Sequence, residues 1–480
     1  MFRKIFAQIL FFFVAITLKA NVLDNVLPYL ANSEIDVESY DFSIDIPSVD
    51  ANEFPVRAKI KLTTNNPTEQ IEFHAESKFV QVDTVKINDA SAKFLFLKGI
   101  PNQWDLNGDV LAIRTKKIPA GQSLTITIDY TLKINDKMAG LFRTQQKLIT
   151  LSWPYYARFW FPSNDSPLDA ATVSYAITTP KGLTAVANGE LKEITEQSNK
   201  KTYHWAQGKP TTTYNFIFSV GTYQIYKEQI CFNFDGKIDD ERIDCAQAKY
   251  KFPLEIYLEP GNPENRSAIE TIRSGASSLI YFSKLFGIYE FEKLGFIISA
   301  YPFSMESTSL IVLERPGATV HEIAHHWWGN NVHIPHWGDF WISEGFTTYV
   351  TGLYNEYKSG KNTSCLDHKS AEKLNNPPTI DPRDIFNQVP YCKGAASIHA
   401  LRLELESLVL KENKEAATKS FLNLLANLYK THKSRSLSTE EFIKFVHANA
   451  AKIYVDAGVP IDPDIASHSI RAWSQKWYGL

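Results

Sequence analysis

Two histidines and a glutamate within a five-residue stretch have the spacing of a metal-binding motif. His321, Glu322 and His325 lie in the run from Val320 to Asn330, and Glu344 follows His325 after eighteen intervening residues. On a helix that advances about 100° per residue, His321 and His325 project from nearly the same side, one turn apart. Glu322 lies about 80° away from their mean direction. The two imidazoles can therefore bind one metal ion, and the intervening glutamate is free for another role.

These residue types suit a catalytic zinc site. Zinc in hydrolases takes three protein ligands and keeps a fourth position for water, and two histidines with one glutamate form a recurring ligand set. We therefore predict that His321, His325 and Glu344 bind one Zn2+ ion. Glu322 is placed to reach the attacking water, and we predict that it acts as the general base.

Two helices must position these side chains. Val320, Ile323 and Trp327 fall on the side of the first helix opposite the histidines, so one face meets the core and the other faces the chemistry. Glu344 opens a second apolar run that continues to Leu353, and this run predicts a second helix.

The two segments resemble the zinc aminopeptidases of the aminopeptidase N and leukotriene hydrolase family. Members of that family combine His-Glu-x-x-His with a glutamate at this spacing inside a thermolysin-like domain. Tyr391-Cys392-Lys393-Gly394, followed by a leucine-rich helix, resembles the family's Tyr-x-Lys-Gly element. The resemblance implies that Tyr391 stabilises the tetrahedral oxyanion through its hydroxyl.

Another element of the resemblance concerns the amino group of the substrate. Met305 and Glu306, just before an apolar strand at 310–313, resemble the family's Gly-x-Met-Glu-Asn element, whose glutamate receives the free α-amino group. An ammonium that is buried without a partner costs several kcal/mol, so a fixed carboxylate is required. The resemblance therefore implies that Met305 and Glu306 bind the substrate.

Three residues near the implied amine site depart from the family's pattern. Phe303 stands where the family has glycine, and Ser307 stands where it has asparagine. Trp153 stands where the family has a glutamate or glutamine that also contacts the substrate amine. An indole offers a cation-π face or an apolar wall, but it cannot accept a hydrogen bond from an ammonium. Amine recognition is then expected to depend mainly on Glu306.

The resemblance implies a zinc-dependent aminopeptidase that acts on peptides with a free N-terminus. Two alternatives stay open. The altered residues leave room for a related zinc endopeptidase or another hydrolase on the same fold, and N-blocked peptides would separate these from an aminopeptidase. A non-catalytic peptide-binding protein is the other alternative, although relatives of that kind usually lose metal ligands, whereas this chain has all three.

The patterns along the chain predict an α+β protein of several domains. Apolar and polar residues alternate repeatedly within residues 21–226, which predicts an antiparallel, β-sandwich-like N-terminal domain. The resemblance implies that residues 227–480 form a thermolysin-like α/β zinc domain whose C-terminal part, from Ala395, is helical. Ser438 and Glu441 predict a capping box at the start of one helix. The large C-terminal helical domain of larger relatives is expected to be absent.

The first 20 residues have the composition of a targeting segment. Arg3 and Lys4 precede an apolar stretch from Ile5 to Leu18, and Ala20 offers a small residue for cleavage. A signal peptide and an uncleaved N-terminal anchor both stay open, and either predicts a periplasmic, extracellular or secretory location. No later segment reaches about 18 uninterrupted apolar residues, so no other membrane span is expected.

Charge and cysteine content bound the remaining functions. The net charge is -3 over 480 residues, with no basic stripe, so no nucleic-acid role is expected. The four cysteines predict two disulfides, Cys231–Cys245 and Cys365–Cys392, which fits an exported protein. Four buried free thiols are the alternative. The oligomeric state does not follow from the sequence.

Overall fold

The computed structural model describes residues 32–99, 108–144, 147–299, 301, 303–360, 389–410, 413–459 and 461–480. The predicted targeting segment at residues 1–20 and Cys365 lie outside these ranges. Of the described helices, none combines the length and the apolar character that crossing a membrane requires.

The N-terminal part consists mainly of strands. They are β1 (Ile35–Asp45), β2 (Glu53–Thr64), β3 (Thr68–His74), β4 (Val80–Ile87), β5 (Ala90–Ser91), β6 (Lys93–Leu97), β7 (Val110–Ile118), β8 (Ser123–Lys133), β9 (Gly140–Thr144), β10 (Lys147–Leu151), β11 (Ala170–Pro180), β12 (Thr184–Ala187), β13 (Glu190–Gln197), β14 (Lys200–Thr212) and β15 (Phe218–Gly221).

These strands form three sheets around an aromatic and aliphatic core. The largest sheet has the order β13-β14-β11-β1-β2-β8-β4-β5, and the smaller ones have the orders β12-β15-β10-β9 and β3-β7-β6. The pairs of the largest sheet are antiparallel except for β1 with β11. Phe42 and Ile44 are buried on the inner face of β1, while Ser43 between them faces outward. The predicted N-terminal β domain is therefore confirmed.

The catalytic part begins with a mixed sheet of order β16-β17-β18-β19. Its strands are β16 (Gln224–Phe232), β17 (Tyr250–Leu258), β18 (Leu294–Ile298) and β19 (Leu310–Leu313), and a short parallel pair, β20 (Val332–His333) and β21 (Arg435–Ser436), lies beyond them. The predicted domain boundary between residues 226 and 227 falls inside β16. The sheets change between Gly221 and Gln224, because β16 pairs with β17 along its whole length.

Helices pack on this sheet and fill the rest of the catalytic part. They are α1 (Asn265–Ala276), α2 (Ser278–Phe286), α3 (Thr319–Ala324), α4 (Phe340–Ser359), α5 (Gly394–Ser407), α6 (Lys414–His432), α7 (Thr439–Asp456) and α8 (Pro463–Tyr478). The predicted capping box of Ser438 and Glu441 starts α7 and is confirmed.

Disulfide chemistry agrees with the sequence where the structure describes it. The predicted Cys231–Cys245 bond is confirmed, and it closes the loop between β16 and β17. Cys392 is also disulfide-bonded. Its predicted partner, Cys365, lies outside the described residues, so the Cys365–Cys392 pairing stays a prediction.

Candidate active site

The predicted metal ligands meet at one point between α3 and α4. Nε2 of His321 lies 3.2 Å from Nε2 of His325 and 3.2 Å from Oε2 of Glu344, and Nε2 of His325 lies 3.4 Å from the same carboxylate oxygen. Ligands about 2.0–2.1 Å from a tetrahedral zinc ion are separated by roughly 3.3 Å. The three donor atoms therefore form a triangle of the size that zinc requires.

The first metal helix is shorter than the sequence predicts. α3 ends at Ala324, and His325 is its C-terminal cap residue, still in a helical conformation. The backbone N–H of His325 donates to the carbonyl of His321 over 3.3 Å, so the one-turn spacing of the two ligands is kept. The chain turns immediately afterwards, because the N–H of Val332 returns to the carbonyl of Trp327.

The ring of His325 is fixed from behind. Its Nδ1 lies 3.1 Å from the carbonyl oxygen of Trp328 and 3.1 Å from the hydroxyl of Thr347. A carbonyl only accepts, so Nδ1 carries the proton and Nε2 is the atom that faces the other ligands. Gly329 makes this close packing possible. Its φ is +109°, and a Cβ there would lie 2.3 Å from the hydroxyl oxygen of Ser343.

A contact between two glycines brings the predicted tyrosine to the metal ligands. α4, which carries Glu344, crosses α5 where Gly345 meets Gly394, and a Cβ on Gly345 would lie 2.9 Å from the Cα of Gly394. Tyr391 lies one turn before Gly394, in the π-helical segment Val389–Lys393. Its ring centroid is 6.4 Å from that of His321, nearly parallel to it. The glycine contact thus sets the distance between the phenol and the ligand triangle.

The predicted amine-binding glutamate enters the same pocket from the sheet. Met305 forms an antiparallel bridge with Val312 at the edge of β19, and this bridge places the next residue, Glu306, beside that edge. One carboxylate oxygen of Glu306 lies within 4.8 Å of donor atoms of both Glu322 and His325. The side-chain amide of Asn330 holds the carbonyl of Glu306 at 2.7 Å. Oε1 of Glu306 is buried and has no hydrogen-bond partner among the described residues.

Three buried carboxylates give the pocket a negative field. Burial raises the pKa of Glu322 and raises that of Glu306 to about 7. Burial would also raise the pKa of Glu344, but the charge of His325 and the hydrogen bond from His321 lower it to about 2. Burial lowers the pKa of His325, but Glu344 and Glu306 outweigh this effect and raise it to about 10. The negative field that favours the protonated form of His325 also favours a bound metal cation.

The phenol of Tyr391 keeps its proton in this environment. Burial, followed by the charges of Glu344 and Glu306, raises its pKa further above the ordinary value for tyrosine. The hydroxyl can therefore donate a hydrogen bond throughout the neutral pH range.

The departures from the family's pattern at 153 and 303 contact each other. The ring of Trp153 packs edge-to-face on Phe303, with 5.3 Å between centroids, and also contacts Phe340 at 5.7 Å and Trp337 at 6.2 Å. Trp153 is only 5% exposed. The third departure, Ser307, is buried, and its carbonyl accepts from the N–H of Leu310 in the turn before β19.

Family models match both parts of the chain. The peptidase M1 N-terminal domain matches residues 36–215, and the peptidase family M1 domain matches residues 306–457. The chain belongs to the peptidase M1 family. The second match contains all the predicted metal-ligating and catalytic residues, and in this M1 chain they converge in one pocket.

Several relatives of this M1 chain are aminopeptidases by name. The puromycin-sensitive aminopeptidase of Caenorhabditis elegans is 22% identical over 78% of this chain and 42% of its own length. Leucine aminopeptidase 2 of Ajellomyces capsulatus is 24% identical over 87% of this chain and 70% of its own length. The chain spans about two fifths of the length of the first relatives it matches.

Solved structures show the same two-part architecture. An M1 zinc metallopeptidase of Deinococcus radiodurans is 20% identical, with a TM-score of 0.72, and the match covers 94% of this chain and 96% of that one. A mutant of a Deinococcus radiodurans M1 zinc metallopeptidase bound to a Tyr-Ser-Ala substrate has a TM-score of 0.73 at 20% identity. A similar structure is described as a two-domain M1 zinc metallopeptidase. The predicted fold, a β domain followed by an α/β catalytic domain, is confirmed.

Several residues that shape the site were not identified from the sequence. The hydroxyls of Thr347 and Ser343 lie near Nδ1 of His325. Both are ordinary residues of an apolar helix, although their positions one turn and one residue from Glu344 could have suggested contact with a metal ligand. Asn330 follows the metal motif directly and could have been found in the same way.

Proposed function

We propose that this chain is a zinc-dependent aminopeptidase that removes N-terminal residues from peptides. The observation that carries the proposal is a buried carboxylate oxygen, Oε1 of Glu306, which has no hydrogen-bond partner in the described part of the chain and lies in the pocket that also contains the ligand triangle. Buried polar atoms normally have hydrogen-bond partners, and the amino group of a bound substrate would supply one to this oxygen.

His321, His325 and Glu344 fit zinc and would hold it. The set combines two neutral imidazole nitrogens with one carboxylate, and its edges of 3.2–3.4 Å match tetrahedral coordination. A zinc ion bound there supplies a Lewis acid for the scissile carbonyl and activates water at neutral pH. The hydrogen bonds that Nδ1–H of His325 donates to the Trp328 carbonyl and the Thr347 hydroxyl keep that ligand in the required tautomer.

Two other residues of the pocket provide proton transfer and stabilisation of the oxyanion. Glu322 is one residue from a ligand and within 4.8 Å of Nε2 or Nδ1 of His325, so its carboxylate accepts the proton of the attacking water and returns it to the leaving amine. Tyr391 donates its hydroxyl proton in a hydrogen bond to the developing oxyanion.

Glu306 supports exopeptidase rather than endopeptidase action. An internal peptide bond would bring an uncharged amide to this carboxylate, whereas a free N-terminus brings an ammonium that neutralises it. Burial already raises the pKa of Glu306 to about 7, so an ionised form needs a cationic partner. The aminopeptidase names of several relatives agree with this assignment.

Trp153 and Phe303 support an amine site with one acidic anchor. Their rings pack against each other and provide apolar surface but no hydrogen-bond acceptor. Under the proposed function, removal of Glu306 should therefore abolish the preference for free N-termini, because nothing in the Trp153 cluster replaces its charge.

The test is hydrolysis of paired fluorogenic aminoacyl amides, each with a free and an acetylated N-terminus, by the purified chain with zinc or with a chelator. Chelator-sensitive cleavage confined to free N-termini is the expected result. Cleavage of the acetylated substrates at a similar rate would favour an endopeptidase. Glu322→Gln should lower turnover by several orders of magnitude and leave zinc bound, and a variant that keeps most of the activity would remove Glu322 from the general-base role.

We also propose that the protein is exported, as a periplasmic, extracellular or secretory-pathway enzyme. The disulfide between Cys231 and Cys245 supports an oxidising compartment. N-terminal sequencing of the protein recovered from each cell fraction would test this proposal. A mature N-terminus near residue 21 would favour a cleaved signal peptide, an intact N-terminus in the membrane fraction would favour the anchor, and recovery in the cytosol would contradict export.

A further inference from the structure

The segment that follows Glu306 adopts an unfavourable backbone conformation. Ser309 has a φ of +60°, a left-handed conformation that is unfavourable for a residue with a Cβ. Thr308 and Ser309 are both fully buried between the two domains. Such a conformation persists only where surrounding contacts determine it, so the groups that hold these two residues decide where Glu306 lies.

The N-terminal domain supplies the main contacts from the turn after β12. Nδ2 of Asn188 donates to the carbonyl of Thr308 over 2.7 Å, and the backbone N–H of Gly189 donates to the hydroxyl of Ser309 over 2.6 Å. Two consecutive residues of one domain thus bind two consecutive residues of the other. The catalytic domain holds the same segment from the opposite side, because the N–H of Ser309 donates to Nε2 of His326.

The amide of Asn188 is fully engaged. Its second Nδ2 hydrogen goes to the carbonyl of Asn215 over 3.0 Å, and its Oδ1 accepts from the hydroxyl of Tyr175 and from the N–H of Ile217. Two donors and two acceptors are the complete capacity of an asparagine side chain. Because every position is occupied, the amide has one orientation, and its bond to Thr308 cannot be exchanged for another.

The turn that carries Asn188 is itself held by the catalytic domain. The ammonium of Lys293 donates to the carbonyls of Ala187 and Gly189, which flank Asn188, and lies over the ring of Trp205 at 4.3 Å. Lys293 is buried. The contact between Asn188 and the Glu306 segment is therefore part of a rigid junction between the domains, and not an incidental contact of a loop.

We propose that Asn188 is a positioning residue for the amine anchor. It fixes the Glu306 segment from the N-terminal domain and thereby keeps the carboxylate of Glu306 at a fixed distance from the ligand triangle. The N-terminal domain then contributes to recognition of the free N-terminus without touching the substrate through Asn188. This role rests on the proposed function, since Glu306 is the amine anchor only there.

The test compares binding of a free-amine dipeptide and its N-acetylated form to the zinc-loaded full chain by calorimetry. Glu322→Gln serves as the background, so that the ligand is not consumed. Asn188→Ala should weaken binding of the free-amine dipeptide by about tenfold or more and leave the acetylated one unchanged, because a small displacement of a positioned group is costly. In a Glu306→Gln background the same substitution should have no further effect on either ligand.

Asn164→Ala is the matched control. Asn164 is another buried amide of the N-terminal domain, and its side chain bonds to Asn32 and Asp169 rather than to the Glu306 segment. This variant should lose stability while keeping the preference for the free amine. Zinc content and thermal melting of every variant establish that the site and the fold are intact. If Asn188→Ala does not fold, Ser309→Ala takes its place, because it removes the hydroxyl that accepts from the N–H of Gly189. The same two dipeptides are then compared, with the same expected result.

Three results would overturn the proposal. Unchanged preference for the free amine in folded Asn188→Ala would show that the contact does not position Glu306. Equal weakening of both dipeptides would indicate general damage to the pocket. If the Glu322→Gln background itself does not prefer the free amine, the proposed amine anchor fails and the role of Asn188 fails with it, which distinguishes that outcome from the first two.

Discussion

Replacement of Tyr391 by phenylalanine isolates one hydroxyl of the site. The ring of Tyr391 is nearly parallel to that of His321 and meets Phe340 edge-to-face, with 6.2 Å between the latter centroids. A phenylalanine keeps both contacts and loses only the donor. The substitution therefore tests whether the phenol stabilises the transition state, with little disturbance of packing.

The expected loss can be worked from the role of the hydroxyl. Burial and the nearby carboxylates keep the phenol protonated, so it is a donor at the pH of the assay. Loss of one oxyanion donor typically lowers kcat by about 100- to 1000-fold, which corresponds to about 2.7–4 kcal/mol. KM should change little, because the oxyanion exists only after the attack.

The assay is steady-state hydrolysis of a free-amine aminoacyl amide, with zinc content measured on the same sample. Tyr454→Phe is the control, since the hydroxyl of Tyr454 is buried in α7, has no hydrogen-bond partner within the part of the chain that the structure describes, and should be dispensable. The hydroxyl of Tyr391 also interacts with Glu344, so reduced zinc affinity would point to support of the ligand instead. A kcat within about threefold of wild type, with zinc retained, would refute the transition-state role.

The other predictions concern the metal, the aromatic cluster and a buried lysine. Thr347→Val should lower zinc affinity about tenfold by removing one of the two acceptors of Nδ1 of His325, and competition with a chromogenic chelator measures this; unchanged affinity would contradict it. Trp153→Ala should lower the free energy of unfolding by about 3–5 kcal/mol in urea titrations, since the ring packs on Phe303; a loss below about 1 kcal/mol would show loose packing there. Burial lowers the pKa of Lys293 to about 7, from 10.5 in the unfolded chain. Between these pH values the unfolded chain binds more protons, so the thermal stability of the wild type should rise with pH relative to that of Lys293→Met. A difference between the two that does not change with pH would show that Lys293 keeps the pKa of a solvated lysine.

The positions of the metal ligands follow from helical periodicity, which is a local property. Residues four apart on a helix share a face whatever the rest of the chain does, so His321 and His325 were predicted together. The alternating strands of the N-terminal domain were predicted for the same reason, because side chains in a strand alternate between its faces. For Tyr391 and Glu306, the sequence alone offered a resemblance and no physical reason for proximity to zinc ligands.

Distances between segments far apart in the chain were decided by tertiary packing. The contact of Gly345 with Gly394 sets how closely Tyr391 approaches the ligands, and no property of either glycine in isolation specifies the other. The predicted domain boundary falls inside β16, because an alternating strand looks the same in either sheet, and only its pairing with β17 assigns it.

The sequence by itself therefore predicted the two histidine ligands and the neighbouring general base from their spacing along one helix, and the strand-rich N-terminal part from alternation along its strands. Only the tertiary structure decided that Trp153 packs on Phe303 and that Asn188 reaches the segment after Glu306. Both contacts join residues more than 100 positions apart. Their free energy comes from burial and hydrogen bonding between domains, and neither leaves a pattern in the local sequence.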